Sequence, residues 1–293
     1  MPAEYREIGA RRLGRAGFDR IEMAVAGSAL GAGPALAVVA VVGRLRAALS
    51  GRWPSPAEVA ALYGMGRIES RRAALAIAAN EARNRLVLRR TSGRALAPFA
   101  PRVRFANAAA AAELQAPLMF ITAHVGALPL LAAGLDRLGT ERLALRWSAL
   151  HETAPGEESA FTLGPLAART EALRRGLERL RQGKIVVTAL EGTHGSADPG
   201  RLFGHRLDVG RGGFALARLA GVPIVPVAAL WVRNRVQVAL GRPLATTADA
   251  PAETALWFEG LLRRSPSQIS LGLLRRLLEN PAVTPPSEDA PGV

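Results

Sequence analysis

Two short strings hold the residues best suited to chemistry, FITAHVGALP around His124 and LEGTHGS around Glu191. Each follows an apolar run that reads as a β-strand, over 118–123 and 184–190, so each delivers a proton-handling side chain where a strand ends. A neutral imidazole leaving an apolar strand can take a proton from a substrate hydroxyl, and amides at a following helix start favour anionic groups. The bland readings stand beside these. A lone histidine serves more often in structure than in catalysis, and Glu191-Gly192-Thr193 also reads as a turn with a helix cap. Arg146 closes a third run, RLALRW over 142–147, and offers either a bidentate clamp for phosphate or carboxylate or a strand-end ion pair. His194 follows the Glu-Gly-Thr block and would hold an anionic head group only weakly at neutral pH.

Several chemistries are set aside by what the sequence lacks. There is no cysteine, which excludes disulfides, a thiolate metal site and a Cys nucleophile. Four histidines without metal-type spacing argue against a metal centre. Ser148, Ser159 and Ser196 have no nucleophile-elbow setting, no Rossmann glycine pattern or Walker sequence occurs, and His151 and His205 read as loop or surface residues.

The elements that must position these residues alternate. Strands at 118–123, 142–147, 184–190, 223–230 and 235–240 are separated by helices at about 128–138, 166–182 and 211–220. In the helix over 166–182, Leu166, Leu173, Leu177 and Leu180 share one face and Gly183 stops it. Such alternation predicts an α/β fold, a mostly parallel central sheet flanked by helices, with ligands beyond the carboxyl ends of the strands.

The chain has 293 residues and a formal charge of +14, with Lys184 the single lysine among 38 basic residues. Residues 1–115 hold 18 Arg against 8 acids, and the remainder holds 20 basic against 16 acidic residues, so the excess is N-terminal. There it flanks an uncharged segment, 23–43, interrupted by Pro34. Basic residues beside apolar ones suit an anionic bilayer, and the segment reads as a hairpin dipping into one leaflet, a span, or an ordinary buried helix pair. Ser55, Pro56 and Glu58 open a helix over 56–64 through a capping box. A further helix over 68–90 carries Arg71, Arg72, Arg83, Arg85, Arg89 and Arg90, a solvated face or one turned to lipid phosphates or an acidic carrier. Nucleic acid is not expected, since no aromatic interleaving or zinc pattern accompanies the charge. The domain reading is a helical, basic, membrane-facing N-terminal region over 1–115, an α/β core over 116–280, and a disordered tail over 281–293.

Taken in order, His124 with Gly126, Arg146, Glu191-Gly192-Thr193, the stretch RLFGHRLDVGRGGFALARLAGVPIVPVAALW, and the closing Arg263, Arg264, Pro266 and Gln268 resemble the bacterial lipid A biosynthesis acyltransferases of lauroyl and myristoyl type, within the lysophospholipid acyltransferase superfamily. The resemblance covers about 117–279. It implies a membrane-associated O-acyltransferase with no bound cofactor, moving a fatty acyl group from an acyl carrier protein or CoA thioester to a hydroxyl of a lipid A or phospholipid type acceptor. The implied location is the cytoplasmic face of the bacterial inner membrane. It also implies His124 as general base, Glu191 and Thr193 at the acceptor site, and Arg146, Gly192 and His194 among the substrate contacts.

In that family an acid five positions after the histidine orients the ring. Here the fifth residue is Pro129, after Leu128, so the acid is absent from its place. Three accounts follow: another carboxylate, Glu191 first and Asp208 second, approaches in space; a backbone carbonyl or water orients the ring; or the chain is a lipid-binding scaffold without turnover. A thioester hydrolase is a further rival. The family's tryptophans near the closing Gln are replaced here by Ile269 and Leu271, which removes a membrane-interface anchor.

Overall fold

The computed structural model describes residues 17–50, 54–91, 96, 98–146, 157–161, 166–192 and 197–280. Helices α1 (residues 17–27), α2 (Ala32–Ser50), α3 (Pro56–Tyr63) and α4 (Arg67–Thr91) come first. They lead into β1 (Val103–Phe105), α5 (Ala108–Ala112), β2 (Leu118–Thr122), α6 (Leu131–Leu135), β3 (Arg142–Arg146), β4 (Glu157–Phe161), α7 (Leu166–Arg181) and β5 (Ile185–Ala189). The chain continues through β6 (Ala197–Leu202), β7 (His205–Gly210), α8 (Arg211–Ala220), β8 (Ile224–Val232), β9 (Arg235–Leu240), α9 (Ala250–Arg264) and α10 (Leu271–Glu279). Seven strands form one sheet in the order β1-β9-β8-β2-β5-β3-β4, parallel at every pairing except β8 with β9. β6 and β7 pair separately as an antiparallel hairpin.

Period-two alternation splits β2 between two apolar layers. Met119 and Ile121 face Leu180 of α7, Leu216 of α8, Phe258 of α9 and Leu274 of α10. Leu118 and Phe120 join the layer of Leu36 and Val39 of α2, Leu86 of α4, and Leu131 and Leu135 of α6. Helix α8 comes close because Gly213 has no side chain: a Cβ there would lie 2.6 Å from Thr188 Cγ2. The β6–β7 hairpin turns at Phe203-Gly204, both at positive φ as a tight primed turn requires. β1 lies within the stretch read as helical and joins the central sheet, so the N-terminal region and the α/β core share one sheet. The capping box at Ser55 and Glu58 forms as the sequence predicts.

Three expectations change. The helix expected at 128–138 is a short 3₁₀ turn, the five-residue α6 and a second 3₁₀ turn, because Pro129 and Gly134 weaken a continuous helix. The anion-binding helix start expected after His124 therefore has no helix long enough to supply it. Most arginines of the 68–90 helix turn inward rather than to lipid or a carrier. Arg85 and Arg89 bind the buried Glu22 carboxylate, Arg90 caps the carbonyls of Val25, Ser28 and Leu30, and Arg83 lies buried 5.6 Å over the Trp231 ring. Of the six, Arg71 and Arg72 are the fully exposed ones.

The apolar segment 23–43 divides between α1 and α2, with Pro34 in the first turn of α2, where it is tolerated. Over Ala32–Leu49 the mean hydropathy is 1.5, enough by length and composition to cross a membrane. One face of α2 is nonetheless packed: Ala35, Leu36 and Val39 are buried in the layer they share with Leu86 of α4. The tail over 281–293 lies outside the described residues.

Candidate active site

β2 and β5 are neighbours in parallel register, Leu118 opposite Ile185 through Thr122 opposite Ala189. Their carboxyl ends therefore emerge side by side, with His124 two residues beyond β2 and Glu191 two beyond β5. The Glu191 carboxylate is buried and reaches back to the histidine. Its Oε1 accepts the His124 backbone N–H at 2.8 Å, and its Oε2 lies 3.3 Å from Nδ1 of the ring. Oε2 has no hydrogen-bond partner among the described residues, so this second contact is an ion-pair approach rather than an aligned hydrogen bond. The His124 side chain is 48% exposed against 2% for Glu191, which leaves the imidazole open to solvent while its carboxylate is held beneath.

The electrostatics follow from that arrangement. The negative charge of Glu191 holds the imidazole above its ordinary value of 6.5, outweighing burial and the repulsion of Arg276. Burial pushes the Glu191 carboxyl up, yet the His124 charge and the hydrogen bonds it receives outweigh this and hold it below the usual carboxylate range. With Nδ1 turned to the carboxylate, the proton of the neutral ring belongs on Nδ1 and Nε2 is the free base.

The loop after His124 is fixed by partners far away in sequence. Gly126, at φ 56°, sits so tightly that a Cβ would lie 2.1 Å from the Ala229 carbonyl oxygen. Asn84 of α4 donates to the Gly126 carbonyl at 2.8 Å and accepts the Trp231 indole N–H at 2.9 Å. Gln268 accepts the Trp231 backbone N–H and donates to its carbonyl, while its own carbonyl accepts the Gly126 N–H. Ser270 N–H donates to the His124 carbonyl. Across the site Glu81 of α4 accepts from Leu271 N–H at the start of α10. On the other side, Glu191 bridges to Val209 of β7, and the Gly192 N–H donates to the Asp208 carbonyl.

Of the residues expected from the sequence, the structure brings His124, Glu191 and Gly192 together. The Asp208 carboxylate is turned to Arg206 and is not the partner of His124. Arg146 ends β3, beside β5 on the same edge, but its side chain lies outside the described residues, as do Thr193 and His194. Gln268 is a buried positioning residue, and Ile269 and Leu271 are buried core residues rather than interface anchors. Asn84, Glu81 and Trp231 carry no sequence signal of their own. Asn84 falls among the arginines of a basic helix, and its register over the loop exists only after folding. Among the described residues no group of His, Asp and Glu could hold a metal ion.

No family model matches the chain, and no curated protein matches it. Among solved structures it is similar to the 1-acyl-sn-glycerophosphate (LPA) acyltransferase PlsC from Thermotoga maritima, at 14% identity over 84% of this chain and 98% of that chain, with a TM-score of 0.35. A likeness that distant assigns no chemistry, which rests on the geometry above.

Proposed function

We propose that this protein is a membrane-associated O-acyltransferase that moves a fatty acyl group from a thioester to the hydroxyl of a lipid acceptor. The single observation that carries this reading is the open His124 ring backed by the buried Glu191 carboxylate at the ends of two adjacent parallel strands. Glu191 supplies from another strand the charge that Pro129 cannot supply in sequence. That also weighs against a scaffold without turnover. The motif order shared with the lipid A acyltransferases supports a lipid acceptor and an acyl carrier protein or CoA donor at the cytoplasmic face of an inner membrane.

The chemistry is a general-base transfer. Nε2 takes the acceptor hydroxyl proton as the oxygen attacks the thioester carbonyl. The carboxylate beneath stabilises the imidazolium that forms, and its unpartnered Oε2 gains most when the ring becomes charged. Collapse of the tetrahedral intermediate breaks the C–S bond, and the imidazolium returns its proton to the leaving sulfur. One ester and one thiol form for each thioester and alcohol consumed.

Membrane contact is supported by an outward apolar stripe on α2. Val38, Val41, Leu45 and Leu49 are exposed at a spacing of three and four residues, with Ile21, Met23 and Leu30 exposed on and after α1. Because the opposite face of α2 is packed inward, the fit is to one leaflet rather than a span.

Thiol release from a long-chain acyl thioester, measured with and without lipid acceptor, tests the reaction type. The expected result is thiol and ester in equal amounts, dependent on acceptor. Free fatty acid released without acceptor would instead make the protein a hydrolase, and copurifying lipid with no release would make it a scaffold.

A further inference from the structure

Away from His124 and Glu191, a cleft of about 360 Å³ is lined by Ala32, Pro98, Pro101, Arg102, Arg104 and Arg235. Three guanidinium groups meet there, and none of the described lining residues is acidic. The side chains of Arg104 and Arg235 are exposed and make no ion pair or hydrogen bond among the described residues. Arg102 donates to the Asn234 carbonyl, and its guanidinium lies across the first turn of α2, where a Cβ on Gly33 would be 2.1 Å from Nη2. A cation is thus held against the positive end of a 19-residue helix, beside two further cations. Each of these contacts is unfavourable by itself, and an anion in the cleft reverses all of them.

The topology aims the cleft at the same surface as the active site. β8 runs parallel to β2 and antiparallel to β9, and β1 runs parallel to β9, so the amino ends of β1 and β9 lie on the edge where β2 presents His124. Leu30, exposed beside Ala32, continues the apolar surface of α1 and α2 up to the rim. From this charge, shape and placement we infer that the cleft is a phosphate-ester site, distinct from the His124–Glu191 site, that seats the head-group phosphate of an anionic membrane lipid. Guanidinium forks match phosphate oxygens two at a time, helix amides add further donors, and Pro98 and Pro101 provide an apolar wall for the ester's carbon portion. The lipid source rests on the membrane contact proposed above. A soluble phosphate ester carries the same chemistry and is separated from it by the experiment.

The test compares the full chain with Arg104→Gln/Arg235→Gln, and with Arg218→Gln/Arg242→Gln as a control of equal charge at the opposite end of the sheet. Binding is read by cosedimentation with phosphatidylcholine vesicles containing phosphatidylglycerol, and separately by the shift in thermal midpoint with inorganic phosphate. All four substituted residues are exposed, and circular dichroism checks that each variant is folded. The cleft variant is expected to bind vesicles about 30-fold more weakly, from roughly fivefold per arginine near an anionic surface, with the control close to the parent. A phosphate-induced shift lost in the cleft variant, with vesicle binding unchanged, keeps the site and assigns it to soluble esters. Equal losses in both variants, or no loss in either assay, would overturn the inference. His124→Ala is expected to bind vesicles like the parent, so failure of the acyl-transfer reading and failure of this one are read separately.

Discussion

Protonating His124 strengthens its attraction to Glu191 and, in the same step, removes the base. The pH dependences of stability and activity should therefore diverge. The imidazole is raised in the folded state, so its contribution to stability is complete below the ordinary value of 6.5 and is lost as pH rises through the folded value. The Glu191 carboxyl is lowered, so its contribution is present above its unfolded value near 4.5 and is lost as pH falls through the folded one. The stability difference between the parent and His124→Ala, followed by denaturant unfolding, should be largest between pH 4.5 and 6.5 and fade above. Turnover should instead rise with pH, with a midpoint above 6.5. Glu191→Gln should move that midpoint down and slow the reaction by about 10²- to 10⁴-fold, through loss of the charge that steadies the imidazolium. At this scale the sequence named both partners, because each follows an apolar strand. It ranked Glu191 ahead of Asp208 without deciding between them, since the decision depends on which carboxylate the fold turns toward the ring.

Among the elements, the loop between β2 and α6 is held by Asn84, Gln268 and Ser270, contributed by three separate segments. Gln268→Ala would orphan the Trp231 backbone N–H and carbonyl, at about 1–3 kcal/mol for each buried group. A loss of roughly 2–6 kcal/mol in unfolding free energy is expected on that basis. The activity left should show a lower kcat at nearly unchanged KM, because the His124 loop loosens while the substrate contacts remain. The strands and helices with strong period, β2, β5, β9, α7 and α8, were legible within a residue or two. β4 and β6 were not, since Glu157 and Glu158 break any apolar alternation in the one and Pro199-Gly200 interrupt the other. Three residues of β1 were too few to carry a pattern. For α9 a start signal was present, with Pro251 in the first turn and Glu253 close behind.

For the whole molecule, the N-terminal excess of arginine misleads if read as one basic surface. Arg83, Arg85, Arg89 and Arg90 are spent inside, fixing α4 to α1, the turn after it and β8, whereas Arg71 and Arg72 stay exposed and Arg102 and Arg104 line a cleft together with Arg235. Charge counting located the region, and only packing divided it into interior and exterior. The apolar stripe of α2 should be the other half of the membrane contact. Leu45→Ser/Leu49→Ser, on side chains already exposed, should leave the thermal midpoint unchanged and weaken binding to neutral phosphatidylcholine vesicles roughly a hundredfold, at about 1.5 kcal/mol per leucine buried in lipid. Equal vesicle binding by parent and variant would place the contact elsewhere.

The most direct measurement is the initial rate of ester formation by the purified protein, with a long-chain acyl thioester and a lysophospholipid or lipid A precursor as acceptor, beside His124→Ala. The account expects ester from the parent and a rate lower by about 10²- to 10⁴-fold from the variant, with both proteins equally folded. Ester formed equally fast without the imidazole, or none formed by the parent with any thioester and lipid alcohol, would contradict it.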